Sequence, residues 1–339
     1  MGDGNDYHGD AYMNAFQDVI ASCPWLPVIG NHESTLGANS DRVDSSTEER
    51  YLNQSWGLVS PASTASSGLG HLLTKGTMLG PGSHGAAPSR TSQWASVDVG
   101  LIHFVIVDLD PGPPPVFSGA QAAWFEADLK KATANRKAVP WIVVTSHFPV
   151  YDATLMDEQV VGASAEWYSG EDGEFERHGG TNASWTELPS FRSCQGKKEC
   201  VTVGDTLAYS KAAFLPLLEK YGVDIYIAGH IHSYSTTWPL CSGKVCNNRT
   251  SLVDAAGPVH VVEGNGGVPC AETATCPVNK VGSCSKAHYG KELFRMCGTG
   301  TAYGRLITSN SLVLTYEHVE NPTSAVTDSW SLKRTKPRR

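Results

Sequence analysis

Residues 221–239 read YGVDIYIAGHIHSYSTTWP, a short apolar run that leads into a histidine-rich turn. A helix-like segment at 211–221 precedes the run and stops at Gly222. A helix, a glycine stop and an unbroken apolar run at 223–228 are typical of a buried strand in an α/β fold. His230 and His232 follow one residue apart, a spacing that places two side chains on the same side of an extended or turned segment. Two such imidazoles can bind a metal ion, although an H-x-H pair alone is more often two ordinary loop histidines.

The same order of strand and polar residues occurs twice earlier in the chain. The apolar run WIVVT at 141–145 is followed by Ser146 and His147, and the run WLPVI at 25–29 is followed by Gly30 and Asn31. Open α/β sheets bind ligands outside the carboxyl ends of their strands. We therefore expect one crevice to collect the side chains that follow the three strands, namely Asn31, His32, His147, His230 and His232.

Three of these segments resemble known motifs. GNHE at 30–33, VVTSHFP at 143–149 and GHIH at 229–232 resemble the last three motifs of the calcineurin-like metallophosphoesterases, and within that superfamily the purple acid phosphatases. The glycine-rich segment at 258–267 and the C-terminal segment at 304–330 are similar to the same family. The resemblance implies an α/β fold, a two-sheet β-sandwich flanked by helices. It also implies that residues 1–339 form a single catalytic domain, with 301–339 as a C-terminal hairpin and tail.

The resemblance further implies an activity, the hydrolysis of phosphate monoesters by two metal ions, iron with zinc or manganese. Asn31, His147 and His230 would bind the second metal ion and His232 the first. His32 would lie near the leaving group as a general acid or charge stabiliser. The expected partner is a small phosphate-ester substrate. Two alternatives remain open, a catalytically inactive fragment or paralogue and a phosphodiesterase of the same superfamily.

The acidic half of the family's metal site is not found in the expected form. The family pattern begins with an Asp-bearing strand and a G-D-x-x-Y turn, whereas Gly2 and Asp3 are followed by Tyr7, one residue too far. Residues 8–16 instead resemble the segment downstream of that turn. We therefore expect the first strands and both acidic motifs to lie before Met1, and this exact chain to hydrolyse esters poorly. A second departure is Ser235 and Thr236, where the family usually has Glu-Arg.

Composition limits the partners of the protein. The formal charge is −8 and the pI is about 5.8, so a nucleic-acid partner has no support. The basic end LKRTKPRR at 332–339 is predicted to be solvated rather than a binding arm. No apolar run approaches the ~18 residues of a membrane helix, so we expect no membrane span. The oligomeric state stays open.

Cysteines and glycosylation signals indicate a secreted or luminal protein. Eight of the nine cysteines lie between residues 194 and 297, and we expect most of them to form disulfides. A zinc cluster is the alternative, but the sequence contains no C-x-x-C pair. Three N-x-S/T sequons occur, at Asn53, Asn182 and Asn248. A signal peptide is absent from this chain, which we attribute to the same missing start.

The remaining patterns predict the order of elements. Helices are expected at 12–22 and 119–134, two strands joined near Gly100 at 95–110, a strand at 259–262, and a hairpin formed by 301–307 and 312–319. Long loops are expected at 34–92 and in an insert at 152–205 that overhangs the site and carries His178 as a further candidate site residue. His103 and His260 alternate with apolar neighbours and are interpreted as structural.

Overall fold

The computed structural model describes residues 94–109, 117, 119–151, 213–248, 250–267, 291–298 and 300–338, together with isolated positions between 14 and 30. Its largest element is a seven-stranded sheet, whose strands are β1 (Ala95–Val99), β2 (Ile102–Ile106), β3 (Trp141–Ser146), β4 (Ile225–Ala228), β5 (Tyr234–Thr237), β8 (Val259–Glu263) and β9 (Phe294–Gly298). Their order across the sheet is β1-β2-β3-β4-β8-β5-β9. Strands β2, β3, β4 and β8 are parallel, and β5 runs antiparallel to both of its neighbours.

In the described part of the chain, a three-stranded antiparallel sheet and helices form the other layers. The small sheet contains β10 (Ala302–Ile307), β11 (Val313–Glu320) and β12 (Val326–Lys333). The helices are α1 (Gly119–Ala134) and α2 (213–220). A short ribbon, β6 (Leu240–Cys241) with β7 (Lys244–Val245), follows β5.

The large sheet is covered on both faces. Phe125 of α1 and Phe214 of α2 pack in one core cluster with Val144 and Tyr226 of the sheet. The opposite face packs against the small sheet through a second cluster, whose members are Ile102, Trp141, Val143, Ile225, Tyr234, Val259, Val261, Leu314, Tyr316, Trp330 and Leu332. Burial on both faces explains why the central parallel strands read as unbroken apolar runs. The predicted two-sheet α/β sandwich flanked by helices is confirmed.

Most predicted elements that fall within the described residues are confirmed. The helix predicted at 119–134 has those bounds. Helix α2 stops before Gly222, whose φ of 60° is the left-handed conformation that glycine supplies at a helix end. The strand predicted to start at 223 begins at Ile225. The helix predicted at 12–22 is seen at the few positions described there.

The prediction for the basic C-terminal end is wrong at two positions. Arg334 is buried, donates to Asp224 Oδ1 at 2.6 Å and lies 3.7 Å above the ring of Trp141. Arg338 donates to the carbonyl of Gly222 at 2.6 Å. The reason is the buried carboxylate of Asp224, because a charge taken out of water requires a charged partner. The predicted hairpin likewise gains a third strand, β12.

Other expectations fall mainly on residues that the structure does not describe. Of the strand predicted at 25–29, only Leu26 and Val28 are described, and neither is in a strand. The loop at 34–92 and the insert at 152–205 with His178 lie outside the described residues. Among the helices that are described, none combines the length and apolar character that crossing a bilayer requires.

Candidate metal centre

Two of the predicted ligands lie at the carboxyl ends of neighbouring parallel strands. Strand β3 ends at Ser146 and β4 ends at Ala228, and these two residues are register partners. Parallel strands end at the same edge of a sheet, so the residues that follow them, His147 and His230, are neighbours. A backbone hydrogen bond from Gly229 N to His147 O at 3.0 Å holds the two chain segments together past the ends of the strands.

The two imidazoles face each other. His147 Nε2 lies 3.0 Å from His230 Nδ1, and the ring centroids are 4.9 Å apart. Phe148 contacts both rings, with centroids 5.0 Å from His147 and 4.6 Å from His230. This contact is a hydrogen bond between the two rings, whose donor depends on the tautomers of the imidazoles. Two nitrogens bound at about 2.0–2.1 Å to one tetrahedral ion would be about 3.3–3.4 Å apart, so the separation of 3.0 Å is close to the spacing that two ligands of a single ion require.

Of the other predicted site residues, only His232 is among the described residues, and its side chain is exposed. Among the described residues, no three His, Cys, Asp or Glu side chains form a group that is able to hold a metal ion. Asn31 and His32 lie outside the described residues, so the roles of these three residues stay predictions.

The turn that carries His230 packs closely against the end of β8. Gly264 N donates to Ser233 O at 3.2 Å. A Cβ atom added at Gly264 would lie 2.0 Å from the carbonyl oxygen of Ile231, which no side chain tolerates. Glycine is therefore required at this position so that the backbone after β8 can approach the histidine turn.

The backbone that follows His147 is held by two hydroxyl groups to which the sequence analysis assigned no role. The Tyr226 hydroxyl lies 2.5 Å and the Ser146 hydroxyl 3.1 Å from the carbonyl oxygen of Phe148, and the two hydroxyls contact each other. Burial raises the pKa of Tyr226 above its ordinary value, so the phenol keeps its proton. The available signal was the one tyrosine inside the apolar strand at 225–228.

Two other histidines are structural, as predicted. His103 is buried with Nδ1 2.6 Å from Asp98 and Nε2 3.0 Å from Asp128. Burial alone would lower the pKa of His103, but the hydrogen bonds and charges of these carboxylates raise it to about 9. His260 packs against the ring of Tyr151 at 4.7 Å, and burial lowers its pKa to about 3. Both rings lie inside the fold rather than in the histidine turn.

Disulfides are present among the cysteines of the described part of the chain. Cys241 and Cys246 are bonded to each other across the β6–β7 ribbon, and Cys297 is also disulfide-bonded. The disulfide prediction is therefore confirmed for three of the eight cysteines at 194–297. The other five lie outside the described residues.

Comparisons with known proteins agree on one family. The family model for calcineurin-like phosphoesterases matches residues 2–234, a range that includes all five predicted site residues. The chain is 26% identical over 277 residues to human (Homo sapiens) acid phosphatase type 7, covering 79% of this chain and 45% of that protein. It is 24% identical over 259 residues to purple acid phosphatase 21 of Arabidopsis thaliana, covering 76% of this chain and 39% of that protein.

A solved structure of a purple acid phosphatase from yellow lupin seeds is also similar, with a TM-score of 0.45 and 22% identity over 73% of this chain and 34% of that one. The chain thus spans less than half the length of the two curated relatives named above.

Proposed function

Since the chain belongs to the calcineurin-like phosphoesterase family, we propose that the protein hydrolyses phosphate monoesters at a binuclear metal centre built on His147 and His230. The observation that carries the proposal is the 3.0 Å approach of the two imidazole nitrogens at the ends of adjacent parallel strands. Similarity to acid phosphatases supports a monoester substrate.

The ligands that residues 1–339 are proposed to contribute to the two ions are imidazole and amide groups. Asn31, His147 and His230 would hold one ion and His232 the other, which suits iron together with zinc or manganese. When bound, such a pair supplies a nucleophile from water near neutral pH and neutralises charge on the phosphoryl oxygens. Phe148 packs on both rings and limits their rotation.

His32 is proposed to act on the leaving group. An imidazole has an ordinary pKa near 6.5, so it can hold a proton in mildly acidic solution and donate it to the departing oxygen. Its position beside Asn31 in the sequence would bring it to the rim of the centre. The substrate is proposed to be a small phosphate ester, because a chain of formal charge −8 repels long polyanions.

A secreted or luminal location is proposed from the cysteines. Disulfides persist in oxidising compartments, and three described cysteines are disulfide-bonded. Glycosylation at Asn53, Asn182 and Asn248 is part of the same proposal.

The test uses the full-length protein loaded with iron or zinc. Turnover of p-nitrophenyl phosphate is compared with turnover of bis(p-nitrophenyl) phosphate, and bound metal is measured by elemental analysis. We expect the monoester to be hydrolysed faster, and His230→Ala to lose both metal and activity. The matched control is His71→Ala, which replaces a histidine outside the three motifs. It should change neither the metal content nor the activity.

Three results would contradict the proposal, each in a different way. Faster hydrolysis of the diester would favour a phosphodiesterase. Bound metal without turnover of either ester would favour an inactive paralogue. Unchanged metal content in His230→Ala would exclude the proposed centre.

A further inference from the structure

The turn that carries His230 is strained and has little internal support. His230 adopts a φ of 63°, a left-handed conformation that non-glycine residues keep only when the surrounding structure enforces it. The backbone hydrogen bonds inside the turn, from Ile231 N to Gly229 O and from Ser233 N to Ile231 O, are both 2.7 Å and span only two residues. Such local bonds do not set the direction of the turn relative to the sheet.

The residue that leaves the turn, Tyr234, is bound to the small sheet. Its side chain is fully buried, and its hydroxyl donates to Asp328 Oδ2 of β12 at 2.6 Å. Its ring lies parallel to the ring of His318 of β11, with centroids 3.8 Å apart and planes 17° apart. Asp328 also forms an ion pair with Arg295, so the carboxylate that receives the hydroxyl is itself held.

Glu263, the last residue of β8, is bound to the same part of the small sheet. It is the register partner of Tyr234. Its carboxylate accepts a hydrogen bond from the Tyr316 hydroxyl, and its two oxygens lie 2.9 and 3.0 Å from His318 Nδ1. The next residue, Gly264, donates to Ser233 at the end of the turn. The start of β5 and the end of β8 therefore meet the small sheet through one buried network. It consists of two polar groups, Tyr234–Asp328–Arg295 and Glu263–Tyr316–His318, which are joined where the ring of Tyr234 stacks on the ring of His318.

We propose that Tyr234, Glu263 and Asp328 are positioning residues, which hold the histidine turn against the small sheet and so set how His230 approaches His147. The inference rests on the proposed function only in assigning a metal to that imidazole pair. Directed hydrogen bonds suit this role, because burial of an apolar ring fills space without fixing an angle, whereas a buried hydroxyl–carboxylate bond fixes both distance and direction.

The first test examines the imidazole pair in metal-free, full-length protein. The ring nitrogen signals of His147 and His230 are recorded by ¹⁵N NMR in the wild type, in Tyr234→Phe and in Glu263→Gln. Tyr221→Phe is the matched control, because it also removes a hydroxyl–carboxylate bond, from Tyr221 to Glu126 at 2.9 Å, but on the helical side of the molecule. We expect both ring signals to shift in the two network variants and to stay unchanged in the control.

The second test measures metal binding and kinetics in variants shown by circular dichroism to be folded. We expect Tyr234→Phe and Glu263→Gln to lower zinc affinity by about 10–100-fold, the usual loss when a group that orients metal ligands is removed. We also expect kcat to fall by a similar factor, with KM for p-nitrophenyl phosphate changed by less than about twofold. If Tyr234→Phe does not fold, Asp328→Asn weakens the same interaction from the other side, because a neutral amide is a poorer acceptor than a carboxylate and no longer pairs with Arg295.

Unchanged imidazole signals and zinc affinity in the folded network variants would overturn this inference. Failure of the wild type to bind zinc or hydrolyse esters would instead overturn the proposed function. The imidazole signals of the metal-free protein would still decide whether the network positions His230.

Discussion

Asp224 is the buried carboxylate on which the amino-terminal edge of the large sheet depends, and we expect Asp224→Asn to destabilise the protein strongly. Its Oδ2 accepts from Arg136 at 2.6 Å and from Ile142 N at 2.9 Å, and its Oδ1 accepts from Arg334 at 2.6 Å. Arg338 lies 3.8 Å from Oδ1. Burial alone would raise the pKa of Asp224, but the three guanidinium groups hold it below its ordinary value. Asparagine keeps the size of the side chain, removes its charge and turns an amide N–H₂ toward a cation.

The size of the effect follows from the burial of the partners. Arg136 and Asp224 have side chains only 1% and 3% exposed. Breaking a buried ion pair by removing one partner costs about 3–5 kcal/mol, because the remaining charge stays buried. An unfolding entropy of about 2.1 cal/mol/K per residue gives about 0.7 kcal/mol/K for 339 residues. We therefore expect Tm to fall by roughly 4–7 °C.

Differential scanning calorimetry at neutral pH measures this change. The matched control is Glu126→Gln, which removes the exposed ion pair between Glu126 and Lys220. Exposed pairs contribute little to stability, so the control should unfold at the wild-type temperature. A change in Tm of less than about 1 °C in Asp224→Asn would refute the reasoning, since it would mean that the three arginines are not held by this carboxylate.

Four further predictions concern the site, the buried histidines and the cysteines. If the proposed activity is present, His32→Ala should lower turnover by roughly 10²–10⁴-fold with metal content unchanged, whereas His230→Ala should lose metal. Loss of metal in His32→Ala would contradict the role proposed for His32. The pKa of His103 in the folded protein, about 9, lies above the ordinary 6.5, so its stabilisation is present below pH 6.5 and lost as pH rises through 9. The Tm difference between wild type and His103→Gln should therefore narrow from pH 6 to pH 10. A constant Tm difference would mean that the ion pairs of His103 with Asp98 and Asp128 do not contribute to stability. The pKa of His260 is lowered to about 3, so the stabilisation from burying its neutral ring is present above pH 6.5 and lost as pH falls toward 3. The Tm of His260→Phe should therefore fall less on acidification than the Tm of the wild type. Thiol titration of unreduced, denatured protein should find about one free thiol among nine cysteines, and many reactive thiols would argue against an oxidising compartment.

Local sequence patterns determined the elements that position the site. The apolar runs before His147 and His230 predicted β3 and β4, because strands buried on both faces have no exposed side and therefore show no alternation. The spacing of apolar residues at 119–134 predicted α1, and Gly222 predicted the end of α2. The order of motifs identified the family and the edge of the sheet where ligands collect. Each of these patterns lies within a short stretch of residues, so it can be recognised in the sequence without coordinates.

The tertiary structure alone decided which distant groups touch. The imidazoles of His147 and His230 are 83 residues apart in sequence, and their contact follows from the register of β3 with β4. The link from Tyr234 to Asp328 spans 94 residues, and β12 itself was not predicted as a strand. Arg334 was expected in solvent because burying a charge is costly, and only the position of Asp224, 110 residues away, reverses that expectation. Composition and periodicity describe how each segment is solvated, whereas pairing between charged or aromatic groups depends on how sheets and layers bring segments together.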